Sequence, residues 1–183
     1  MDYEFYLLNL IQQHVRNDFF DVLMPLVSML GKAAALWVII AAVLLCFKKT
    51  RTAGRSMAWN LASGGALLML TVKPIVNRIR PYVLNDTVSL LVSPETNASF
   101  PSGHTFMAFG ASTVIFLYNK KLGIISYMLS AVIAFSRLYL YVHFPSDVLC
   151  GAILGIVSAL VFYRIETILF PPAHHRFQPV TES

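Results

Sequence analysis

Apolar residues along the chain gather in long runs separated by short polar connections. The runs are AAALWVIIAAVLLCF (33–47), MAWNLASGGALLMLTV (57–72), TFMAFGASTVIFLY (105–118), LGIISYMLSAVIAF (122–135) and VLCGAILGIVSALVFY (148–163). A helix that is hydrophobic all round belongs in hydrocarbon or in a deep core. Each run is somewhat short of the ~20 residues that cross a bilayer, so each borrows flanking residues such as Leu30, Thr71 or Leu138. The pattern predicts an all-α, polytopic membrane helix bundle of five transmembrane helices, with six as the alternative count. Ahead of them, EFYLLNLIQQHV and DFFDVLMPLVSML read as interfacial, amphipathic helices within residues 1–30. The second also reads as part of a longer tilted helix.

Composition narrows the choice. Hydrophobic residues make up 57% of the 183 and charged residues 13%, which leaves too little polar surface to cover five such runs in water. A soluble helical bundle is therefore disfavoured. The length suits one domain, 1–183, with its chemistry in 55–165 and a polar tail at 171–183. The first twenty residues mix acids and polar groups with apolar ones, so no cleavable signal is expected. Cys46 and Cys150 fall in apolar runs toward opposite faces and read as small packed side chains, not a disulfide. The GxxxG pattern at Gly151 and Gly155 reads as helix packing. In the tail, His174 and His175 read as solvated side chains, not as a metal site.

Charge sets the orientation. KKTRTAGR (48–55) is basic without an acid, and NKK (119–121), Arg164 and Arg176 continue the bias. Residues 1–21 and 77–101 instead hold Asp2, Glu4, Asp18, Asp21, Asp86 and Glu95. The positive-inside rule then puts the basic loops in the cytoplasm, and the N-terminus, the 77–101 loop and the 136–147 connection on the opposite side. The net charge of +5 thus reads as topology and anionic-lipid contact, and nucleic acid is not expected as a partner. Asn85-Asp-Thr87 and Asn97-Ala-Ser99 match the N-glycosylation pattern, which matters only in a secretory-pathway host.

Ionisable groups at membrane depth are costly and ask for a reason. Three segments carry them to the same side. In KPIVNRIRP (73–81), Lys73 and Arg80 are two helical turns apart and share a face if helical geometry survives Pro74; two snorkelling cations are the plain alternative. In PSGH (101–104), Pro101 and Ser102 suit a helix start, Gly103 lets backbone N–H groups approach an anion, and His104 can hold or release a proton. In SRLYLYVHFPSD (136–147), a turn can bring the Asp147 carboxylate to His143, fixing its tautomer and leaving the other ring nitrogen as a nucleophile. A structural pair between Arg137 and Asp147 is the plainer account of those two charges. Together, three cations, an N–H nest, two histidines and a carboxylate suit phosphoryl transfer without metal, and no cluster with metal-ligand spacing lies on this side.

Lys73-x6-Arg80-Pro81, Pro101-Ser102-Gly103-His104 and Ser136-Arg137-x5-His143-x3-Asp147 resemble the three signature segments of the type-2 phosphatidic acid phosphatase superfamily, the lipid phosphate phosphatases related to vanadium haloperoxidases and glucose-6-phosphatase. The resemblance covers roughly 55–165. It implies that His143 forms a phosphohistidine, that Asp147 orients it, and that His104 protonates the leaving oxygen and then activates water. It also implies phosphate binding by Lys73, Arg80, Ser102, Gly103 and Arg137, with no metal or other cofactor. None of these positions departs from the family's pattern; Arg78 is an extra cation within the first segment, with no role beyond a headgroup contact. The outward site is similar to that of bacterial undecaprenyl pyrophosphate phosphatases, which implies a membrane lipid phosphate as partner and an extracytoplasmic site in the cell membrane. Phosphatidic acid, phosphatidylglycerol phosphate and lipid A phosphates stay open as substrates. A second class is a non-catalytic lipid-phosphate-binding membrane protein, against which the two histidines argue, since binding alone needs cations. Haloperoxidase chemistry is a third option that the membrane setting disfavours.

Overall fold

Helix ends fall where the sequence places polar breaks. The computed structural model describes residues 2–31 and 34–170, which are mostly helical with no strand among them. The polar tail, with His174 and His175, lies outside the described residues. Helix α1 is Asp2–His14, α2 Asp18–Leu30 and α3 Ala35–Cys46; α8 is Gly103–Tyr118, α9 Lys120–Tyr139 and α10 Pro145–Leu169. Asn17 caps α2 by accepting from the Phe20 N–H at 3.0 Å, and Asn119 caps α9 through the Leu122 N–H at 3.1 Å. Helix α10 begins with Pro145, and the Asp147 carboxylate accepts from the Phe144 N–H at 2.9 Å.

After α3, residues 51–76 form one continuous helical rod. It runs through α4 (Arg51–Trp59), a π segment (Asn60–Gly64), α5 (Gly65–Leu67), a second π segment (Leu68–Val72) and α6 (Lys73–Val76). The second π segment precedes Pro74, where the missing N–H and the ring's bulk disturb an ordinary α ladder. The rod stops at Asn77, whose φ of 43° is left-handed, and a short α7 (Pro81–Leu84) follows. Lys73 and Arg80 therefore do not share one helical face: the break at Asn77 lies between them.

Helix α8 lies at the centre, packed on α9 and α10, while α3 packs on α4 and α2 on α9. A side chain at Gly155 would put its Cβ 2.3 Å from the Phe106 carbonyl oxygen, and one at Gly151 would sit 2.7 Å from the Ser102 carbonyl. The GxxxG pattern is thus the seam between α10 and α8, as its spacing predicts. Between α8 and α9 the glue is polar: Ser112 Oγ meets Ser126 Oγ at 2.6 Å and Ser130 Oγ at 2.8 Å. A second core joins Trp37 and Ala41 of α3 to Met57 of α4 and Ala108 and Ala111 of α8. Cys46 and Cys150 are both unpaired.

Large apolar side chains stay uncovered on the outer helix faces, among them Ile39 and Val43 of α3, Ile125 and Met128 of α9, and Ile153 and Val157 of α10. Such a belt suits a lipid solvent. By length and composition, α9 and α10 each suffice to cross a membrane, and α2 with α3, bent by 43°, makes a third candidate. That is fewer than the five spans the sequence predicts, because α8 has only 16 residues and the rod is divided into short α and π pieces.

Candidate active site

The site lies where the α9–α10 connection, the start of α8 and the 77–100 segment meet. Tyr141, in that connection, has φ of 59°, a conformation a bulky residue keeps only when its surroundings impose it. Its hydroxyl donates to Asn9 Oδ1 at 2.8 Å and accepts from Asn85 Nδ2 at 3.0 Å. The turn so held leads directly into His143, which is fully buried.

Both ring nitrogens of His143 are addressed. Nδ1 faces Ser99 Oγ at 3.3 Å and Asp147 Oδ2 at 3.5 Å. The Ser99 hydroxyl donates to that same carboxylate oxygen at 2.5 Å. Asp147 thus reaches the imidazole partly through Ser99, a residue the sequence motifs do not single out. On the other side, Nε2 faces Arg80 Nη1 at 3.4 Å. Burial pushes His143 down to about 4 against the opposing pull of Asp147, so the ring is neutral at ordinary pH.

The cations are anchored in different ways. Arg80 donates to the carbonyl oxygens of Asn97 and Val142, each at 2.9 Å, and to Glu95 Oε2 at 2.7 Å. Arg137 donates to Ser28 Oγ of α2 and to Glu95 Oε1, while its buried Nε has no hydrogen-bond partner. Lys73 Nζ donates to the Ala98 carbonyl at 2.5 Å. Arg137 does not pair with Asp147, the plainer account of that charge: Asp147 pairs with Arg78, at 2.7 Å, and Arg137 with Glu95. Nor does Arg78 stand free for a headgroup. Its guanidinium lies between Glu4 and Asp147 and stacks 4.0 Å above the Phe144 ring.

At PSGH the open N–H nest expected from sequence is partly closed. The Ser102 N–H donates to the Asp147 carbonyl at 3.0 Å, and the Ser102 hydroxyl accepts from Thr105 Oγ1 at 3.0 Å. Gly103 and His104, with Lys73 and His143, line a cavity of about 620 Å³. The His104 ring rests on the end of α2, where a side chain at Gly31 would come within 2.7 Å of it. From these polar groups the cavity continues along Val38, Ala41, Ala42 and Leu45 of α3 and Ala58, Leu61 and Ala62 of the rod. Its polar end includes Glu95, which no sequence motif singles out; the Arg137 and Arg80 guanidiniums outweigh the effect of burial and hold that carboxyl down to about 2. Among the described residues no group of three His, Cys, Asp or Glu side chains is placed to hold a metal ion.

A helical bundle with a membrane-like exterior and a buried cation–histidine cluster at the head of an apolar cavity is the class this structure defines. The chain belongs to the PAP2 superfamily, whose family model matches residues 53–170. It is 38% identical over 92 residues to the bacitracin transport permease protein BcrC of Bacillus licheniformis, covering 50% of this chain and 45% of that protein. It is 30% identical over 132 residues to the undecaprenyl-diphosphatase of Sulfolobus acidocaldarius, covering 72% and 64%. The chain therefore spans about half to two thirds of the length of these relatives. The crystal structure of Aquifex aeolicus LpxE superposes with a TM-score of 0.77 at 30% identity, covering 87% of this chain and 94% of that one.

Proposed function

We propose that the chain is an integral-membrane, metal-independent lipid phosphate or diphosphate phosphatase that forms a phosphohistidine on His143, with undecaprenyl pyrophosphate its preferred substrate. The observation that carries the reading is the continuity of the cavity, from Lys73, His104 and His143 at one end to the apolar wall of α3 and the rod. A lipid can keep its hydrocarbon in that groove while its phosphate meets the histidines. The membrane-like exterior and the names of the related proteins agree with this reading.

In the proposed reaction His143 Nε2 attacks phosphorus as the bond to the leaving oxygen breaks, and His104 gives that oxygen its proton. A water molecule then attacks the phosphohistidine, with His104 accepting a proton, and phosphate departs with His143 restored. Arg80, Arg137 and Lys73 hold the phosphate oxygens, with Ser102 and the Gly103 N–H beside them. The Arg80 contact at Nε2 brings a phosphate-binding cation to the attacking atom. In the bilayer we place five crossings, the Arg51–Val76 rod and α8 completing those made by α2–α3, α9 and α10, with the site on the extracytoplasmic side of the cell membrane.

Purified protein in detergent with a chelator should release phosphate from undecaprenyl pyrophosphate in preference to phosphatidic acid, phosphatidylglycerol phosphate and lipid A phosphate, and His143→Ala should not. Activity that disappears with chelator overturns the metal-independent mechanism. Binding of these lipids without any release overturns the enzyme reading.

A further inference from the structure

An ion-paired chain links helix α1 to the carboxylate beside His143. Arg78 Nη2 donates to Glu4 Oε2 at 2.5 Å, and Nη1 donates to Asp147 Oδ1 at 2.7 Å and to Ser146 Oγ at 2.6 Å. Glu4 closes the ring, because its Oε1 accepts from Ser146 Oγ at 2.6 Å and from the Ser146 N–H at 3.2 Å. The Phe144 ring packs against one face of the guanidinium, whose two terminal nitrogens are both engaged. Arg78 does not line the cavity that His143 lines.

Both oxygens of Asp147 are thereby committed. Oδ2 serves Ser99, the Phe144 N–H and His143, and Oδ1 serves Arg78. A carboxylate held at both oxygens cannot rotate away from the imidazole. Its charge is also shared: a guanidinium on Oδ1 weakens the pull of Asp147 on a proton at His143, and Glu4 in turn moderates that guanidinium. Burial, with Arg137 and Arg80, keeps His143 neutral; the Arg78 contact holds Asp147 in orientation and limits its opposing pull.

We propose that Glu4 and Arg78 are positioning residues: through Glu4–Arg78–Asp147, helix α1, which lies outside the matched segment 53–170, fixes the orientation and effective charge of the carboxylate that serves His143. Its catalytic meaning rests on the phosphatase reading above. Its electrostatic core does not, and the experiment reads the two separately.

The full-length protein labelled with ¹⁵N-histidine is titrated by NMR, the His143 signal being assigned by its loss in His143→Ala, and kcat and KM are measured on undecaprenyl pyrophosphate. Arg80, Arg137 of α9, His104 of α8 and Glu95 of the outer loop also act on His143 or lie near it, and all stay unaltered. Arg78→Gln leaves Asp147 less compensated, so the His143 titration moves up by about one pH unit, and kcat falls about tenfold or more at nearly constant KM. Glu4→Gln leaves Arg78 less compensated and moves the titration the opposite way. Arg78→Lys keeps the charge and the wild-type titration while recovering only part of kcat, since an ammonium cannot bridge two carboxylates as a fork does.

An unmoved titration in Arg78→Gln, or shifts of the same sign in Arg78→Gln and Glu4→Gln, overturns the inference. A raised KM at constant kcat overturns it in favour of a headgroup contact. Should Arg78→Gln not fold, as judged by its melting transition, Glu4→Gln decides by the same readout: a titration that stays put or moves up overturns the inference. Wild-type protein that hydrolyses no lipid phosphate overturns the function proposed above, while the titrations still decide the chain of charges.

Discussion

The Glu95 carboxylate is bound by the Arg137 guanidinium, and its second oxygen by Arg80 at 2.7 Å. The two buried arginines proposed above to bind phosphate are thus already paired with an internal anion. An incoming phosphate must displace that carboxylate or share the guanidiniums with it. The apparent affinity for any anion is reduced accordingly, since only the fraction of molecules with Glu95 displaced can bind it fully. In Glu95→Gln the competing charge is gone, and orthovanadate should inhibit at about tenfold lower concentration. The same variant should melt at a lower temperature, because the two guanidiniums lose their counter-charge. Weaker vanadate inhibition would mean that Glu95 assists anion binding.

Acid should act on the site in two separate windows. His143 is held below its ordinary value of 6.5, to about 4, so it is neutral in the fold where the unfolded chain would bind a proton. That contribution to stability is complete above its ordinary value and is lost as pH falls through about 4. Glu95, lowered from 4.5 to about 2, contributes fully above its ordinary value and loses that contribution only as pH falls toward about 2. The acid limb of kcat/KM should therefore lie near pH 4, where His143 gains a proton, and not in the range of a free imidazole. A limb at pH 6 to 7 that is unchanged in a variant with His104 replaced would contradict this placement of His143. The measurement is kcat/KM across pH with melting temperatures alongside.

Two of the three charged segments were placed correctly from local spacing, since His143 and Asp147 flank a helix start and Gly103 and His104 open another; the seven-residue spacing of Lys73 and Arg80 was not, because the helix breaks between them at Asn77. The glycine seam was legible from local spacing too, since Gly151 and Gly155 lie one turn apart. What sequence could not give was the counter-charges. Glu95 sits 15 residues from Arg80 and 42 from Arg137, in a loop without periodicity, and Glu4 is 74 residues from Arg78. Such pairings depend on where a loop and an N-terminal helix return in space. The π segments of the rod were not legible either, since a hydropathy pattern does not register whether the hydrogen-bond ladder of an apolar run is α or π.

Packing at the α8–α10 seam should be unforgiving. A methyl group at Gly155 would lie 2.3 Å from the Phe106 carbonyl oxygen, which is backbone and cannot rotate aside. Gly155→Ala should cost about 1–3 kcal/mol, the usual range for overpacking a filled interior. Because α8 begins at Gly103 and His104, forcing the helices apart should also lower kcat. Thermal unfolding in detergent compared with activity checks this, and a fully stable, fully active variant would show that the two helices can separate freely.

The apolar stretch of the cavity should read hydrocarbon length without touching the chemistry. Ala42 lines its α3 wall away from His143 and leaves room for a larger side chain, since Ala42 is itself exposed. A tail in that groove gains roughly 0.8 kcal/mol per methylene buried. Ala42→Phe should therefore raise KM for a long-chain polyprenyl diphosphate about four- to fifteenfold, the loss expected from displacing one or two methylene groups. It should leave a short prenyl diphosphate nearly unaffected, with kcat constant for both. Equal effects on long and short substrates would place the tail outside this groove, on the open face of the bundle.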